Sequence, residues 1–405
     1  RNCRKMSKET LRVFYCCNAV DETTKKERDV RFDSPAATNK VISVAKALQS
    51  QGVDVQILSL GRGRQTGNGK KHPAQTIDIN GIPIHYAAFW HLPVLTHIVG
   101  AFSLSRLFRQ FTQDYKGRII VIAYNRLWHY LPTLLQAKSK QAEGYLDLED
   151  GDIPPSTLSG RIKIWVSKKI FKNFCGSGAL LAGSALSAQV STNRTFVCYG
   201  CTDLQDVDEK KWSKRPVEIL FGGSLLKETG VQLLLDSLTL FASRYPELKQ
   251  KLSFTVTGQG WMAEALQRFS QEGGQGWVHF LGSVDHSTYL RELTKAHIGL
   301  CLKLSTSEMG KTTFPSKIIE YASYSLGIIS THVSDVPLLL DEQSALLLEE
   351  DTPECLAGIL QKIATEQLDI RSMAKTGQEK INSVSNYVIV GEKLKQFLMD
   401  GVPNK

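Results

Sequence analysis

The sequence lacks the features that would make it a membrane-spanning protein, a nucleic-acid reader or a metal-folded module. Across its 405 residues, no uninterrupted apolar run approaches the length of a bilayer-crossing helix. No signal peptide with a cleavage site is visible, and Arg1 to Lys8, polar, basic and without an initial Met, reads as an upstream extension. There is no helix-turn-helix cue, no zinc-finger spacing and no aromatic RNP-type strand, which excludes the common nucleic-acid-binding classes. Internal repeats and low-complexity tracts are absent as well. Cysteine is sparse at 8 residues, and Cys16, Cys17 and Cys301 fall within apolar strand patterns, where a thiol acts as a small apolar group. Cys198-Tyr199-Gly200-Cys201 has CxxC spacing but no second pair and no neighbouring His, a weak case for zinc or redox chemistry. Reduced thiols in a cytoplasmic protein are the expectation.

What is present is enough chain for two domains of ordinary size, each with its own core. Charge is uneven along it. Residues 1–200 hold 28 Lys and Arg against 14 Asp and Glu, whereas residues 201–405 hold 21 against 26. A basic first half implies an anionic counterpart, either a membrane surface or an anionic acceptor.

Strand and helix patterns alternate throughout. Leu11 to Cys17 is a run of β-formers, followed by a polar loop from Asn18 to Ser34 and a helical pattern from Pro35 to Gln51. Val53 to Leu60 is the next strand, and Asn80-Gly81 centres a hairpin over Thr76 to Tyr86. Arg118 to Ala123 and Gly144 to Leu148 read as further buried strands. Leu92 to Phe111 reads as an apolar-rich helix with Arg106 and Arg109 towards its end, suited either to packing on the sheet or to lying on a membrane. Lys210 to Arg215 has no hydrophobic periodicity and marks the domain boundary. After it a second alternating series begins at Val217. The fold class is therefore α/β, with doubly wound domains that bind a ligand at the carboxyl ends of their strands.

The most informative stretch is Thr312-Thr313-Phe314-Pro315-Ser316-Lys317-Ile318-Ile319-Glu320, which follows the apolar strand His297 to Leu302. Pro suits a helix start, and Ser316 is expected to cap it. Helix amides and the Lys317 ammonium would hold a phosphate or diphosphate. Glu320, at i+3 from Lys317, would accept from a vicinal diol. Together they suit a nucleoside diphosphate, although the same residues also make an ordinary capped helix with a surface Lys and a solvated Glu. Phe221-Gly222-Gly223-Ser224 to Gly230 forms a glycine-rich strand–helix turn in which Lys227 adds a positive charge. Tyr145 to Asp152 packs Asp147, Glu149, Asp150 and Asp152 at a strand end, where crowding shifts carboxylate pKa values, although such runs are usually solvated. These acids would suit magnesium if they bound a metal.

The ordered series over residues 217–345 resembles the retaining GT-B glycosyltransferases of family 4 type. Phe314, Glu320, Gly327 and Ile329 keep the register of that group's C-terminal signature, while Thr312 stands in place of its first Glu and Pro315 in place of its second Gly. The group's glycine-rich loop usually reads Gly-Arg-Leu-x-x-Glu-Lys-Gly. Aligning Gly223 and Gly230 puts Ser224 at the Arg and Thr229 at the Lys, with Lys227 and Lys317 as replacement charges. Thr257-Gly258-Gln259-Gly260 and Phe280 to Val284 resemble the base-pocket elements, with Val284 contributing its main chain. Residues 1–200 follow the group in outline only.

The resemblance implies two Rossmann-like domains facing across a cleft, an N-terminal acceptor domain over 1–209 and a nucleotide-sugar domain over 216–383. Residues 384–405 would form a terminal helix crossing back to the first domain. It also implies sugar transfer from a UDP-, GDP- or ADP-sugar to a hydroxyl acceptor with retention, in polysaccharide or glycolipid biosynthesis, with no metal and no other cofactor. The implied donor residues are Gly223, Ser224, Lys227, Gly258, Val284, Thr312, Thr313, Phe314, Ser316, Lys317 and Glu320. Glu149 is the residue nearest the reacting centre, with Asp147 and Asp150 as competitors, and Ser34 and Thr38 are on the acceptor side. The expected partners are the nucleotide-sugar, an acceptor that is lipid-linked or otherwise anionic, and an anionic membrane surface, without nucleic acid. The expected location is cytoplasmic, peripheral at the inner membrane face. The alternative is a non-catalytic relative that binds a sugar nucleotide or a protein partner. A sugar-nucleotide epimerase fits less well, since such enzymes carry other acid and His signatures.

Overall fold

The computed structural model describes residues 10–30, 33–63, 69–92, 95–149, 151–152 and 157–401. The chain divides into two compact units, one of residues 1–182, 186–201 and 387–405, the other of residues 183–185 and 202–386.

The first unit is built on an eight-stranded sheet. From edge to edge it runs Thr195–Val197, Gly178–Leu181, Glu143–Leu148, Arg118–Tyr124, Leu11–Cys17, Asp54–Ser59, Ile82–Tyr86 and Gln75–Ile79. All neighbours are parallel except the last pair, the Asn80-Gly81 hairpin, which is antiparallel. A parallel sheet is covered on both faces, so its central strands are apolar on both sides. Val13, Tyr15 and Cys17 face a core with Val41, Val44 and Leu48 of the Pro35–Ser50 helix. Phe14 and Cys16 face the opposite core, with Leu104 and Phe108 of the Leu95–Thr112 helix. That helix thus turns Leu104, Leu107 and Phe108 to the sheet while Leu95, Ile98 and Phe102 stay exposed.

The Tyr387–Met399 helix packs on the Pro35–Ser50 helix, and a Cβ at Gly391 would collide with the Ala47 carbonyl oxygen. Arg118 donates to the Met399 carbonyl at 3.1 Å and to that of Leu398 at 2.9 Å, tying this helix to the sheet.

Two local expectations need correction. The polar stretch from Asn18 to Ser34 contains a helix, Glu22–Glu27, because the Asp21 carboxylate caps it by accepting from the amides of Thr23 at 2.9 Å and Thr24 at 3.1 Å. The division between the units falls after Cys201 and not at residues 210–215. Lys211 is buried in the second unit and donates to the Tyr324 carbonyl at 3.1 Å, which draws the polar segment inward.

The second unit carries a six-stranded sheet, parallel throughout, in the order Val278–Gly282, Leu252–Gln259, Val217–Ser224, Ile298–Cys301, Gly327–Ser330, Leu346–Leu347. Counted within the unit this is 3-2-1-4-5-6, the dinucleotide-fold order. The order reverses between Val217–Ser224 and Ile298–Cys301, so loops from these two strands diverge and leave a crevice at their carboxyl ends. Leu234, Leu238 and Phe241 of the Val231–Arg244 helix cover one face with Phe254 and Val256, and Leu356 and Leu360 join the same core.

Candidate functional site

At the crevice of the second unit, the Val217–Ser224 strand ends in Gly222-Gly223-Ser224. Gly223 has φ +133°, and Gly258 on the adjacent strand has φ +143°, backbone that side chains rarely adopt. A Cβ at Gly258 would collide with the Gly223 carbonyl oxygen, so the close approach of the two strand ends requires glycine. A Cβ at Gly223 would lie 3.9 Å from Lys317 Cε, which puts the Lys317 side chain over the glycine turn.

Lys317 opens the Lys317–Ser323 helix, and its ammonium donates to Glu320 Oε2 at 2.6 Å and to the Tyr289 phenol at 2.8 Å. The phenol in turn donates to Glu320 Oε2 at 2.6 Å. Burial drives the Tyr289 pKa up, with Tyr321 and Glu320 adding to it, so this phenol stays a donor. All described contacts of Glu320's side chain use Oε2, which leaves Oε1 open among the described residues. The Tyr321 hydroxyl accepts from the Gly222 amide at 3.3 Å, fixing the helix to the glycine turn.

Ser316 does not cap this helix. It is itself helical, at φ −55° and ψ −22°, and its side chain makes no capping bond. The Ile318 amide bonds to the Pro315 carbonyl at 3.0 Å and the Ile319 amide to that of Ser316 at 3.1 Å. A tight turn therefore consumes amides that the sequence had assigned to an anion.

The other expected donor residues are placed as follows. Ser224 and Lys227 are exposed, and Lys227 has no ion-pair partner among the described residues. The Ser224 carbonyl accepts from the Thr229 hydroxyl at 2.6 Å, so Thr229 braces the loop from which its expected lysine is missing. Thr312 ends the Glu308–Thr312 helix and bonds back to the Glu308 carbonyl at 3.0 Å, the Thr313 carbonyl accepts from Lys303 at 3.3 Å, and Phe314 is buried. Val284 is half-buried just beyond Gly282, whose carbonyl accepts from Thr257 at 2.9 Å.

In the first unit the order reverses between Leu11–Cys17 and Arg118–Tyr124, and the expected acids stand near that point. Asp147 pairs with Tyr124 in register and is fully buried. It accepts from the Tyr15 hydroxyl and from Lys40, whose ammonium lies 3.0 Å from Oδ1 and also contacts Glu149. Burial alone would lower the Lys40 pKa, but Asp147 and then Glu149 outweigh it and hold the lysine firmly charged. Asp147, one of the candidates for the reacting centre, is fully buried and has no surface to offer a substrate, contrary to that expectation. Glu149 is only partly buried, its backbone amide donating to Asn125 Oδ1 at 2.9 Å. Asp150 lies outside the described residues. Ser34 caps the Pro35–Ser50 helix, accepting from the Ala37 amide at 3.3 Å, and Thr38 accepts from the Val20 amide at 3.1 Å.

Sequence reading missed Tyr289, Tyr15 and a histidine cluster at the strand ends of the first unit. Arg62 Nη2 lies 2.7 Å and His97 Nδ1 2.8 Å from His129 Nε2, and Trp128 stacks on His129 at 4.1 Å. Burial, then Arg62 and His97, push the His129 pKa down to about 3, so it is a neutral imidazole. No local pattern announces these contacts, because each joins residues far apart in sequence. Among the described residues no group of three or more His, Cys, Asp or Glu could hold a metal.

Residues 216–366 match the family described as glycosyl transferases group 1. One of the subunits of human phosphatidylinositol N-acetylglucosaminyltransferase is 25% identical over 147 residues, which spans 35% of this chain and 28% of that protein. Anabaena HepE in complex with UDP superimposes with a TM-score of 0.66 at 14% identity, covering 96% of this chain and 100% of that one. The sucrose-phosphate synthase of Thermosynechococcus elongatus superimposes with a TM-score of 0.65 at 14% identity, covering 96% and 98%.

Proposed function

With a second unit that belongs over residues 216–366 to the glycosyl transferases group 1 and with the GT-B fold, this chain is, we propose, an enzyme of sugar transfer. It is a glycosyltransferase that moves a sugar from a nucleotide diphosphate donor to a hydroxyl acceptor, with the nucleotide-sugar as substrate. The observation that carries the reading is the Lys317–Tyr289–Glu320 cluster standing over Gly223 at the crevice of the second unit. Glu320 Oε1 accepts from the ribose diol while Tyr289 and Lys317 hold Oε2. Lys317 and the exposed Lys227 face the developing negative charge of the departing diphosphate, which stabilises the transition state electrostatically. The UDP in the HepE structure supports a UDP-sugar as the first donor to test. Glu149, held by Lys40, is the acid we place nearest the reacting centre. Transfer proceeds with retention, and the product is a polysaccharide or glycolipid.

The acceptor we propose is anionic or lipid-linked, and the enzyme works peripherally at the inner face of a membrane. The basic balance of the first half supports this, as do Arg62 and the exposed Trp128 near its strand ends. No helix among the described residues is long and apolar enough to cross a membrane.

A panel of UDP-, GDP- and ADP-sugars tests the donor. The right donor at a hundred times its Kd should raise stability by about 2.7 kcal/mol in thermal shift and then release free nucleotide slowly. Thr312 in place of the signature acid and Ser224 and Thr229 in place of the Arg and Lys favour a second reading, a non-catalytic sugar-nucleotide binder. Stabilisation without nucleotide release, with any hydroxyl acceptor supplied, would select it.

A further inference from the structure

The Leu158–Phe174 helix of the first unit buries Phe171 alone among its 17 residues. Leu158, Ile162, Trp165 and Val166 stand outward at 74%, 53%, 61% and 39% exposure. Their spacing of i, i+4, i+7 and i+8 places them on one face of the helix, so they form a continuous apolar stripe. The segment also holds Arg161, Lys163, Lys168, Lys169 and Lys172 and no acidic residue. Lys168 is 2.9 Å from Asp152, and Lys169 sits 5.1 Å from the Trp165 ring centroid. Arg161, Lys163, Lys169 and Lys172 have no carboxylate partner among the described residues.

An ordinary surface helix turns its apolar stripe inward and lets its charges pair. This one packs Phe171, Ile170 and Phe174 inward but sets a second apolar stripe outward and leaves four of its five cations without a carboxylate partner among the described residues. We propose that the 158–174 helix is the membrane-contact element of the protein, lying flat on an anionic lipid surface. Leu158, Ile162 and Val166 enter the acyl boundary, Trp165 sits at headgroup depth, and the flanking cations meet lipid phosphates. Charge complementarity selects this occupant, because a second copy of the chain would set five cations against five. The proposal rests on the membrane-surface reading above and ranks this helix ahead of the 95–112 helix, which also exposes Leu95, Ile98 and Phe102 but carries only Arg106 and Arg109 where the 158–174 helix carries five cations.

The test is co-flotation of the full chain with phosphatidylglycerol-rich and pure phosphatidylcholine vesicles at low and high salt. Wild type should bind the anionic vesicles at low salt and release at high salt. Ile162→Ser with Trp165→Ser should weaken that binding by about tenfold or more, since the apolar stripe supplies the insertion. Lys163→Gln, Lys169→Gln and Lys172→Gln together should weaken it roughly a hundredfold on anionic vesicles alone. All five positions are exposed, so unchanged thermal unfolding should certify the fold of both variants. Ile98→Ser with Phe102→Ser, on the 95–112 helix, should retain most binding. If only that variant loses binding, the membrane reading survives and the 158–174 assignment is overturned. Wild type that ignores anionic vesicles at low salt overturns both, without touching the donor reading, which nucleotide release measures. A wild-type dimer in light scattering that Ile162→Ser with Trp165→Ser dissolves would overturn it in favour of self-association.

Discussion

Tyr289 donates its phenolic hydrogen to Glu320 Oε2 at 2.6 Å, although the two lie 31 positions apart on separate helices of the second unit. The contact holds the Glu320 carboxylate in one orientation, with Lys317 bound to the same oxygen. A carboxylate already fixed in this way meets a diol without further loss of side-chain freedom.

Tyr289→Phe should therefore weaken donor nucleotide binding about five- to tenfold, the value of a net hydrogen bond near 1 kcal/mol. Glu320→Gln removes the charged acceptor itself and should cost about 1.5–3 kcal/mol of binding. Titration calorimetry with the donor's nucleoside diphosphate measures both. Affinity unchanged in Glu320→Gln would remove the carboxylate from the ribose site.

Lys317→Ala and Lys227→Ala should lower affinity for the nucleoside diphosphate more than for the bare nucleoside, because the lost interaction is with phosphate charge. Parallel titrations with the two ligands separate this from structural damage. Equal losses on both would mean that the lysines only shape the pocket.

In the first unit, Lys40→Met should destabilise the fold by about 3–5 kcal/mol, since it strands the buried Asp147 carboxylate without its cation. Denaturant unfolding reads this directly. Glu149→Gln should behave differently. We expect a nearly unchanged fold and donor turnover lowered by about a hundredfold or more, the size of a positioned acid or base. Full activity in Glu149→Gln would move the reacting acid elsewhere.

Stability should fall as pH drops from about 6.5 towards 4. Burial lowers the His85 pKa to about 4, and its ring is held neutral, 2.8 Å from the Thr76 hydroxyl and 2.8 Å from Gln56 Oε1. Between the unfolded pKa and the folded one, the unfolded chain binds the extra proton, so stability is complete above about 6.5 and declines through that window. His129, with its pKa lowered to about 3, extends the same trend downward. Melting temperature against pH should slope less in His85→Gln than in wild type, and equal slopes would assign the dependence to other groups.

Gly258→Ala should unfold the glycine crevice or fail to fold, because a Cβ meets the Gly223 carbonyl at a backbone φ that already disfavours alanine. Gly358→Ala, where a Cβ meets nothing within 4 Å, is the control expected to be neutral or stabilising.

Local chemistry was sufficient for much of the molecule. Apolar runs such as Leu11–Cys17 and Ile298–Cys301 declare buried parallel strands, Asn80-Gly81 declares its hairpin, and the i, i+3 spacing of Lys317 and Glu320 puts both on one helix face. These signals survive because they depend on neighbours a few residues apart. What three dimensions decided lies in contacts between distant segments. Nothing near Asp147 in sequence says that Tyr15 and Lys40 bury it, and nothing near Glu320 announces Tyr289. Ser316 looked like a cap, yet the tight turn at Pro315 put it into the helix instead. The apolar residues of both the 95–112 and the 158–174 helices are visible in the sequence, but only packing determined which of them enter the core, Leu104 and Phe108 on one and Phe171 on the other, and which are left facing water, Phe102 and Trp165 among them. Burial depends on what the rest of the chain places opposite each face, and a periodicity carries no information about its partner.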